Sequence, residues 1–192
     1  MNSRPLLLTA TLLAGVVWSG GQSSPSQSMG AQVPVTFSGG FDTDGRDHGR
    51  PVALIAGALG VPDDVFRQAF SHVHPAPAGS RPSEEQARQN KDALLNALRP
   101  YGITNERLDE VSNYYRYNRS RGEFWPVSIP AAYALVNDGM VKKFVVTAGG
   151  AGFNSPPTIA VAGVSVSNSH SKVKLSFGPD LAKNGAVTSI EN

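Results

Sequence analysis

The residue types that bind metal ions are concentrated in one short stretch of the chain. Residues 42–48 contain the carboxylates of Asp42, Asp44 and Asp47 and the imidazole of His48. Calcium loops use alternating aspartates as oxygen ligands and a glycine where the chain turns sharply. The match is incomplete, because Arg46 stands where that pattern has an acidic residue and no Glu closes the loop. Two interpretations stay open: a metal site, and a polar turn that precedes a helix.

A second candidate site is a stretch in which aromatic and basic residues alternate. The candidate binding residues are Tyr114, Tyr115, Arg116, Tyr117, Arg121 and Trp125. Aromatic rings and guanidinium groups stack on sugars and anchor protein interfaces. The stretch therefore predicts a binding surface. In the alternative interpretation, Tyr115 and Trp125 belong to the core and the arginines form a solvated edge.

Other catalytic chemistry has little support in the sequence. The chain has no cysteine, which excludes a disulfide framework, a thiolate metal site and a cysteine nucleophile. Residues 149–152 are glycine-rich but lack the Lys-Ser/Thr pair of a phosphate-binding loop, and no Gly-x-Ser-x-Gly motif is present. We assign no catalytic residue and expect no cofactor.

The N-terminus has the pattern of an export signal. Arg4 is followed by an uncharged, mostly apolar run over residues 6–17 and then by the small residues Ser19, Gly20 and Gly21. This order is typical of a signal peptide, and the run is shorter than the roughly 20 residues that span a bilayer. Residues 1–21 therefore predict a signal peptide, with no stable membrane span after cleavage. An exported protein without cysteine favours a bacterial source, with a secreted, periplasmic or cell-envelope location.

The middle of the chain has helical periodicity. Residues 22–40 are uncharged and rich in Ser, Gln, Gly and Pro, which predicts a flexible lead-in with one short strand at residues 33–37. From residue 41 to 125, apolar spacing and capping residues predict four short helices. These helices are expected at residues 52–59, 62–73, 83–98 and 104–115.

The period changes to that of strands after residue 125. Strands are expected at residues 132–136, 140–147, 158–166 and 172–177. Asp138-Gly139 and Asn184-Gly185 are hairpin-turn dipeptides, and each lies in one copy of an internal strand–turn–strand repeat. The sequence thus predicts an α+β protein, with a small four-helix N-terminal module (residues 41–125) followed by an antiparallel β-rich repeat module (residues 126–192).

The charged residues change at the same boundary. Residues 41–125 contain ten Arg and one Lys, whereas residues 126–192 contain five Lys and no Arg. This shift favours two modules, although a single α+β unit remains an alternative. The net charge is only +2, and the helix pair at residues 53–66 lacks a basic second helix, so we expect no nucleic-acid partner.

Part of the chain resembles known β repeats. The stretch Thr-Ala-Gly-Gly-Ala-Gly-Phe-Asn-Ser-Pro-Pro-Thr-Ile at residues 147–159, preceded by Asp138-Gly139-Met140-Val141, resembles Gly-Gly-x-Gly-Tyr…Pro-x-Val repeats of bacterial surface and phage-fibre-like proteins. The helical part resembles uncharacterised secreted bacterial proteins. The resemblance implies extended β units used for display or adhesion and assigns no activity.

Together these observations predict a non-catalytic binding or structural module at the cell envelope or outside the cell. The expected partner is a cell-envelope glycan or an envelope protein. The alternative is an extracytoplasmic hydrolase or metal-dependent enzyme that uses Asp42, Asp44, Asp47 and His48.

Overall fold

The structure is a computed structural model that describes residues 30–74, 76, 80, 82–118, 121–164 and 172–192. The expected signal peptide lies outside these residues. The helices are α1 (Val52–Leu59), α2 (Asp63–Phe70), α3 (Glu84–Leu98) and α4 (Asn105–Tyr114). The strands are β1 (Ala31–Ser38), β2 (Ala131–Asn137), β3 (Met140–Ala148), β4 (Thr158–Val161), β5 (Lys172–Ser176) and β6 (Ala186–Glu191). The predicted α+β class and its four helices are confirmed.

The helix boundaries follow from capping residues in the sequence. The Ser83 side chain accepts a hydrogen bond from the backbone N–H of Gln86 at 3.1 Å, and Thr104 caps α4 through the N–H of Arg107 at 3.2 Å. Gly60 ends α1 in the left-handed conformation, with φ at 73°. In the part of the chain that the structure describes, no helix is both long and apolar enough to cross a bilayer.

Helix α1 is the centre of the helical core. Most of its side chains are buried on all sides, because its sequence VALIAGAL contains no polar residue. The core around it includes Phe66 of α2, Leu98 of α3, and Leu108 and Val111 of α4. A short helix without a polar face must be covered by neighbours, so the other elements are arranged around α1.

Four strands form an antiparallel sheet in the order β3-β2-β1-β4. The first half of β1 pairs with β2 (Ala31 with Val136), and its second half pairs with β4 (Val35 with Val161). The strand expected at residues 33–37 is therefore present and lies inside the sheet, in a stretch that the sequence predicted as a lead-in.

The turns between strands depend on glycine. Asp138 and Gly139 join β2 to β3 with φ values of 52° and 71°, the positive values of a type I′ hairpin turn. The strand expected at residues 158–166 is shorter than predicted. It ends at Val161, because the chain turns at Gly163, where φ is 72°.

A second core lies between the sheet and the β5–β6 hairpin. Alternate residues of the strands point inward, as expected for a sheet with one covered face. The buried members are Val35, Ala134, Phe144, Ile159, Val161, Val173, Val187 and Ile190.

The helical part and the strands meet at Asn184, a residue of the predicted Asn184-Gly185 turn. Its side chain is only 1% exposed. Its Nδ2 donates to the Leu54 carbonyl of α1 at 2.6 Å and to the Tyr115 hydroxyl at 2.8 Å, while its Oδ1 accepts from the Gly178 N–H at 3.0 Å. A single side chain thus satisfies polar groups from both parts of the chain.

Gly57 lets the β5–β6 loop approach α1 closely. A Cβ atom at this position would lie 2.5 Å from Cβ of Phe177 and 3.1 Å from Oδ1 of Asn184. Glycine in a helix interior normally lowers stability relative to alanine. Here the missing side chain provides the space that the contact needs.

We expect Gly57→Ala to destabilise the protein by about 1–2 kcal/mol, although alanine is the better helix former. The physical reason is the overlap with Phe177 and Asn184, which exceeds the gain in helix propensity. The matched control is Gly45→Ala, since a Cβ there would meet no atom within 4 Å. Urea denaturation of both variants checks this expectation. Unchanged or higher stability of Gly57→Ala would contradict the close packing.

Candidate functional site

An open cavity of about 420 Å³ lies between the helices and the loop that precedes α1. The 48–51 loop, all four helices and the residues just after α4 contribute to it. Its apolar wall consists of Pro51, Ile55, Phe66, Phe70, Leu94 and Tyr115. Its polar lining consists of His48, Gly49, Arg50, Ser112, Arg116 and Tyr117. We call this the aromatic cavity.

The floor of the aromatic cavity comes from the apolar stripe of α2. Phe66 and Phe70 are one helical turn apart, and their ring centroids are 5.9 Å apart. Phe66 is 3% exposed, and Phe70 is half-buried. Both residues pack in the helical core and line the cavity.

The basic groups at the mouth of the cavity have no carboxylate beside them in the cavity lining. His48, Arg50 and Arg116 line the cavity, and no Asp or Glu is among the described residues that do so. His48 lies at a left-handed position with φ at 50° and is exposed. Arg116 is exposed as well. The mouth is therefore positively charged.

Arg50 is the most enclosed of these cations. Its guanidinium carbon lies 3.4 Å from the centroid of the Phe70 ring, and its Nη1 donates to the Asp47 carbonyl at 3.2 Å. Burial lowers the pKa of Arg50 below its ordinary value. Among the described residues, Arg50 makes no ion pair with a carboxylate. Its positive charge is stabilised by a ring face, by a backbone oxygen and, without an ion pair, by the field of the Asp47 carboxylate.

The nearby carboxylate of Asp47 is bound by a different arginine. Nε of Arg67 donates to one oxygen of Asp47 at 2.8 Å and Nη2 donates to the other at 3.0 Å. These hydrogen bonds hold the pKa of Arg67 above its ordinary value. Asp47 is 3% exposed, so this two-bond pair compensates a buried charge. A second cavity, of about 520 Å³, lies beside the pair and shares His48, Arg50 and Phe70 with the first.

The three aspartates of the predicted metal site have different partners. The Arg46 guanidinium binds Asp44 with an Nη2–Oδ2 distance of 2.7 Å and holds the pKa of Asp44 well below its usual range. Asp42 exchanges hydrogen bonds with the Ser155 hydroxyl, and Asp47 binds Arg67. Within the described ranges, no group of three or more His, Cys, Asp or Glu side chains could hold a metal ion.

The predicted tyrosine–arginine surface is divided between core and solvent. Tyr115 and Trp125 are 3% and 2% exposed, as the core alternative expects. Tyr114 is half-buried, and Arg121 is exposed. Among the predicted binding residues, the cavity lining includes Tyr115, Arg116 and Tyr117; it does not include Tyr114, Arg121 or Trp125.

A cluster of aromatic rings packs against Tyr117, which lines the cavity. Trp125 stacks on Phe124 with centroids 3.9 Å apart and meets the Tyr117 ring edge to face at 5.3 Å. The Trp125 indole donates to the Gly152 carbonyl at 2.8 Å. The hydroxyl of Tyr117 donates to the Gly49 carbonyl, which fixes the loop before Arg50 against the segment after α4.

Two cavity residues were not predicted as site residues. Arg50 directly precedes Pro51 at the start of α1 and belongs to no recognised motif. Ser112 lies within α4 and belongs to no recognised motif. Both residues line the cavity because of how the helices pack together, and local sequence patterns do not encode that packing.

Comparisons with protein-family models, curated proteins and solved structures find no match for this chain. The function is therefore inferred from the residues of this chain.

The junction beside the cavity has a pH dependence that can be measured. Burial raises the pKa of Tyr115 to about 12 from an ordinary value of 10.0. The neutral phenol is favoured in the folded state, so its stabilisation is complete below pH 10 and decreases as the pH rises toward 12. We expect the stability advantage of the wild type over Tyr115→Phe to shrink by about 1–2 kcal/mol between pH 9 and about pH 11.5.

Urea denaturation at each pH measures this difference. Tyr101→Phe is the matched control, since the Tyr101 side chain is 52% exposed. This control should follow the wild type across the range. A constant gap between wild type and Tyr115→Phe would contradict the buried, neutral Tyr115.

Proposed function

We propose that this protein is a non-catalytic binding module that acts at the cell envelope or outside the cell. The observation that carries the proposal is the aromatic cavity, which combines a wall of rings with cations that face no carboxylate in its lining. Such a combination is suited to holding a ligand.

The size and lining of the cavity support a binding role. Ligand pockets are typically about 300–1,000 Å³, mostly apolar, with a few converging polar groups. The aromatic cavity has a volume of about 420 Å³ and presents Arg50, Ser112 and Arg116 at its polar side. Three members of the predicted tyrosine–arginine surface contribute to it.

The enzymatic alternative has less support. The carboxylates of Asp44 and Asp47 are held by Arg46 and Arg67. No carboxylate among the described residues lines the aromatic cavity, so a carboxylate acid–base pair is not available there.

The proposed location rests on the sequence. Residues 1–21 have the order of charged, apolar and small residues that is typical of signal peptides. The resemblance of residues 147–159 to surface β repeats agrees with a role in display or adhesion. A cell-envelope glycan is therefore the first partner to test.

The proposal predicts that the purified protein co-sediments with insoluble, protein-free cell wall. Ser112→Leu places a larger side chain in the cavity and should weaken the affinity for the cell wall about tenfold, which corresponds to ~1.4 kcal/mol. Asn113→Leu is the matched control, because it adds the same side chain at the next, exposed position of α4. This variant should bind like the wild type.

Thermal unfolding of both variants establishes that each is folded at the temperature of the assay. Absence of wild-type protein from the pellet would contradict cell-wall binding. Equal sedimentation of all three proteins would show that the aromatic cavity is not the binding site.

A further inference from the structure

We propose that the aromatic cavity binds an amphipathic carboxylate, whose carboxylate pairs with the Arg50 guanidinium while its apolar body lies along the Phe66–Phe70 wall. This inference rests on the binding role proposed above and names the class of ligand for that site.

Arg50 forms no ion pair with any carboxylate of the described residues. Its donors make one hydrogen bond to a described residue, from Nη1 to the Asp47 carbonyl. The Asp47 carboxylate is already held through both oxygens by Arg67. A half-buried cation without an anionic partner is costly to desolvate, and a bound anion offsets that cost.

The geometry of the Arg50 guanidinium favours a carboxylate as its partner. Its central carbon lies 3.4 Å from the centroid of the Phe70 ring, so the ring covers one side of the group. A guanidinium presents its N–H donors around its edge, and paired donors match the two oxygens of a carboxylate. The ring contact also limits the orientations of the side chain, which lowers the entropy lost on binding.

The charge of the cavity mouth also favours an anionic ligand. Arg116 lines the cavity, is exposed and makes no ion pair within the described ranges. His48 lines it as well. All ionisable groups of the lining other than tyrosine are therefore basic, which attracts an anion and disfavours a cation.

The apolar wall favours a ligand that carries an apolar group in addition to its anionic group. Phe66, Phe70, Ile55 and Leu94 come from three different helices and line the cavity together with Arg50 and Arg116. A ligand gains free energy from this wall only if it carries an apolar group. A carboxylate joined to a ring or a short hydrocarbon chain can contact both the Arg50 guanidinium and the apolar wall.

Two sources supply this chemistry: the C-terminal residue of a peptide and a small organic or lipid-derived acid. N-acetylphenylalanine represents the first source and 4-phenylbutyrate the second. Their neutral counterparts are N-acetylphenylalanine amide and 4-phenylbutyramide, which keep the ring and remove the charge. Titration of each compound into the purified protein, followed by amide chemical shifts in NMR spectra, gives four dissociation constants.

We expect at least one acid to bind with a Kd of about 0.1–1 mM, and its amide to bind about tenfold or more weakly. Shifts should concentrate at residues that line the aromatic cavity. Tighter binding of N-acetylphenylalanine supports a peptide C-terminus, and tighter binding of 4-phenylbutyrate supports a small acid.

Charge variants locate the carboxylate. Arg50→Gln should reduce acid affinity about 10- to 100-fold and abolish the preference for acid over amide. Arg50→Lys keeps the charge without the paired donors and should cause a smaller loss. Arg99→Gln is the matched control, because Arg99 is exposed and lines neither cavity. It should bind like the wild type.

The acid–amide comparison uses the wild type, so it remains decisive if Arg50→Gln does not fold. Equal affinity for acids and amides, or no binding of either acid at 10 mM (about ten times the highest expected Kd), would overturn the inference. The cell-wall experiment with Ser112→Leu is independent of these probes. If that experiment succeeds while both acids fail, the binding role remains and only the ligand class is wrong.

Discussion

The buried side chain of Asn184 connects the two parts of this protein. Its amide group satisfies the Leu54 carbonyl, the Tyr115 hydroxyl and the Gly178 N–H, while its backbone carbonyl accepts from the Gly152 N–H at 2.8 Å. A buried polar group that loses its partner costs about 1–3 kcal/mol. The helices and the β5–β6 loop are therefore coupled through this residue, and Arg107 of α4 adds a hydrogen bond to the Pro179 carbonyl at 2.6 Å.

The aromatic cavity depends on the same junction. Tyr115 uses its hydroxyl to accept from Asn184 and its ring to form part of the cavity wall. Gly57 allows the loop to come close enough for that hydrogen bond, and the Trp125 indole makes a second link at the Gly152 carbonyl. Because these contacts fix the residues after α4, Arg116 and Tyr117 are held opposite the loop that carries Arg50. The aromatic cavity thus depends on contacts between the helical part and the strands.

Local patterns predicted the elements well and their assembly poorly. Caps such as Ser83 and Thr104 act within a few residues, so helix starts were predictable, as was the Asp138-Gly139 hairpin. Asn184 lies in the predicted turn, but its burial was not predicted, because it depends on a helix 130 positions away. Three of the predicted binding residues, Tyr115, Arg116 and Tyr117, line the aromatic cavity, and their role in binding stays a prediction. Arg50 was not predicted, because its lack of an ion pair depends on the contact between Asp47 and Arg67, which lies 20 positions further along the chain.

Native-state hydrogen exchange on wild type and Asn184→Ala tests most directly whether the helices and strands form one unit. If they form one unit, the amides of α1 and β6 open with the same free energy in the wild type. In Asn184→Ala both sets should lose the same amount, about 2–4 kcal/mol. If the β6 amides keep their wild-type protection while those of α1 lose theirs, the two parts are independent. That result would contradict the account.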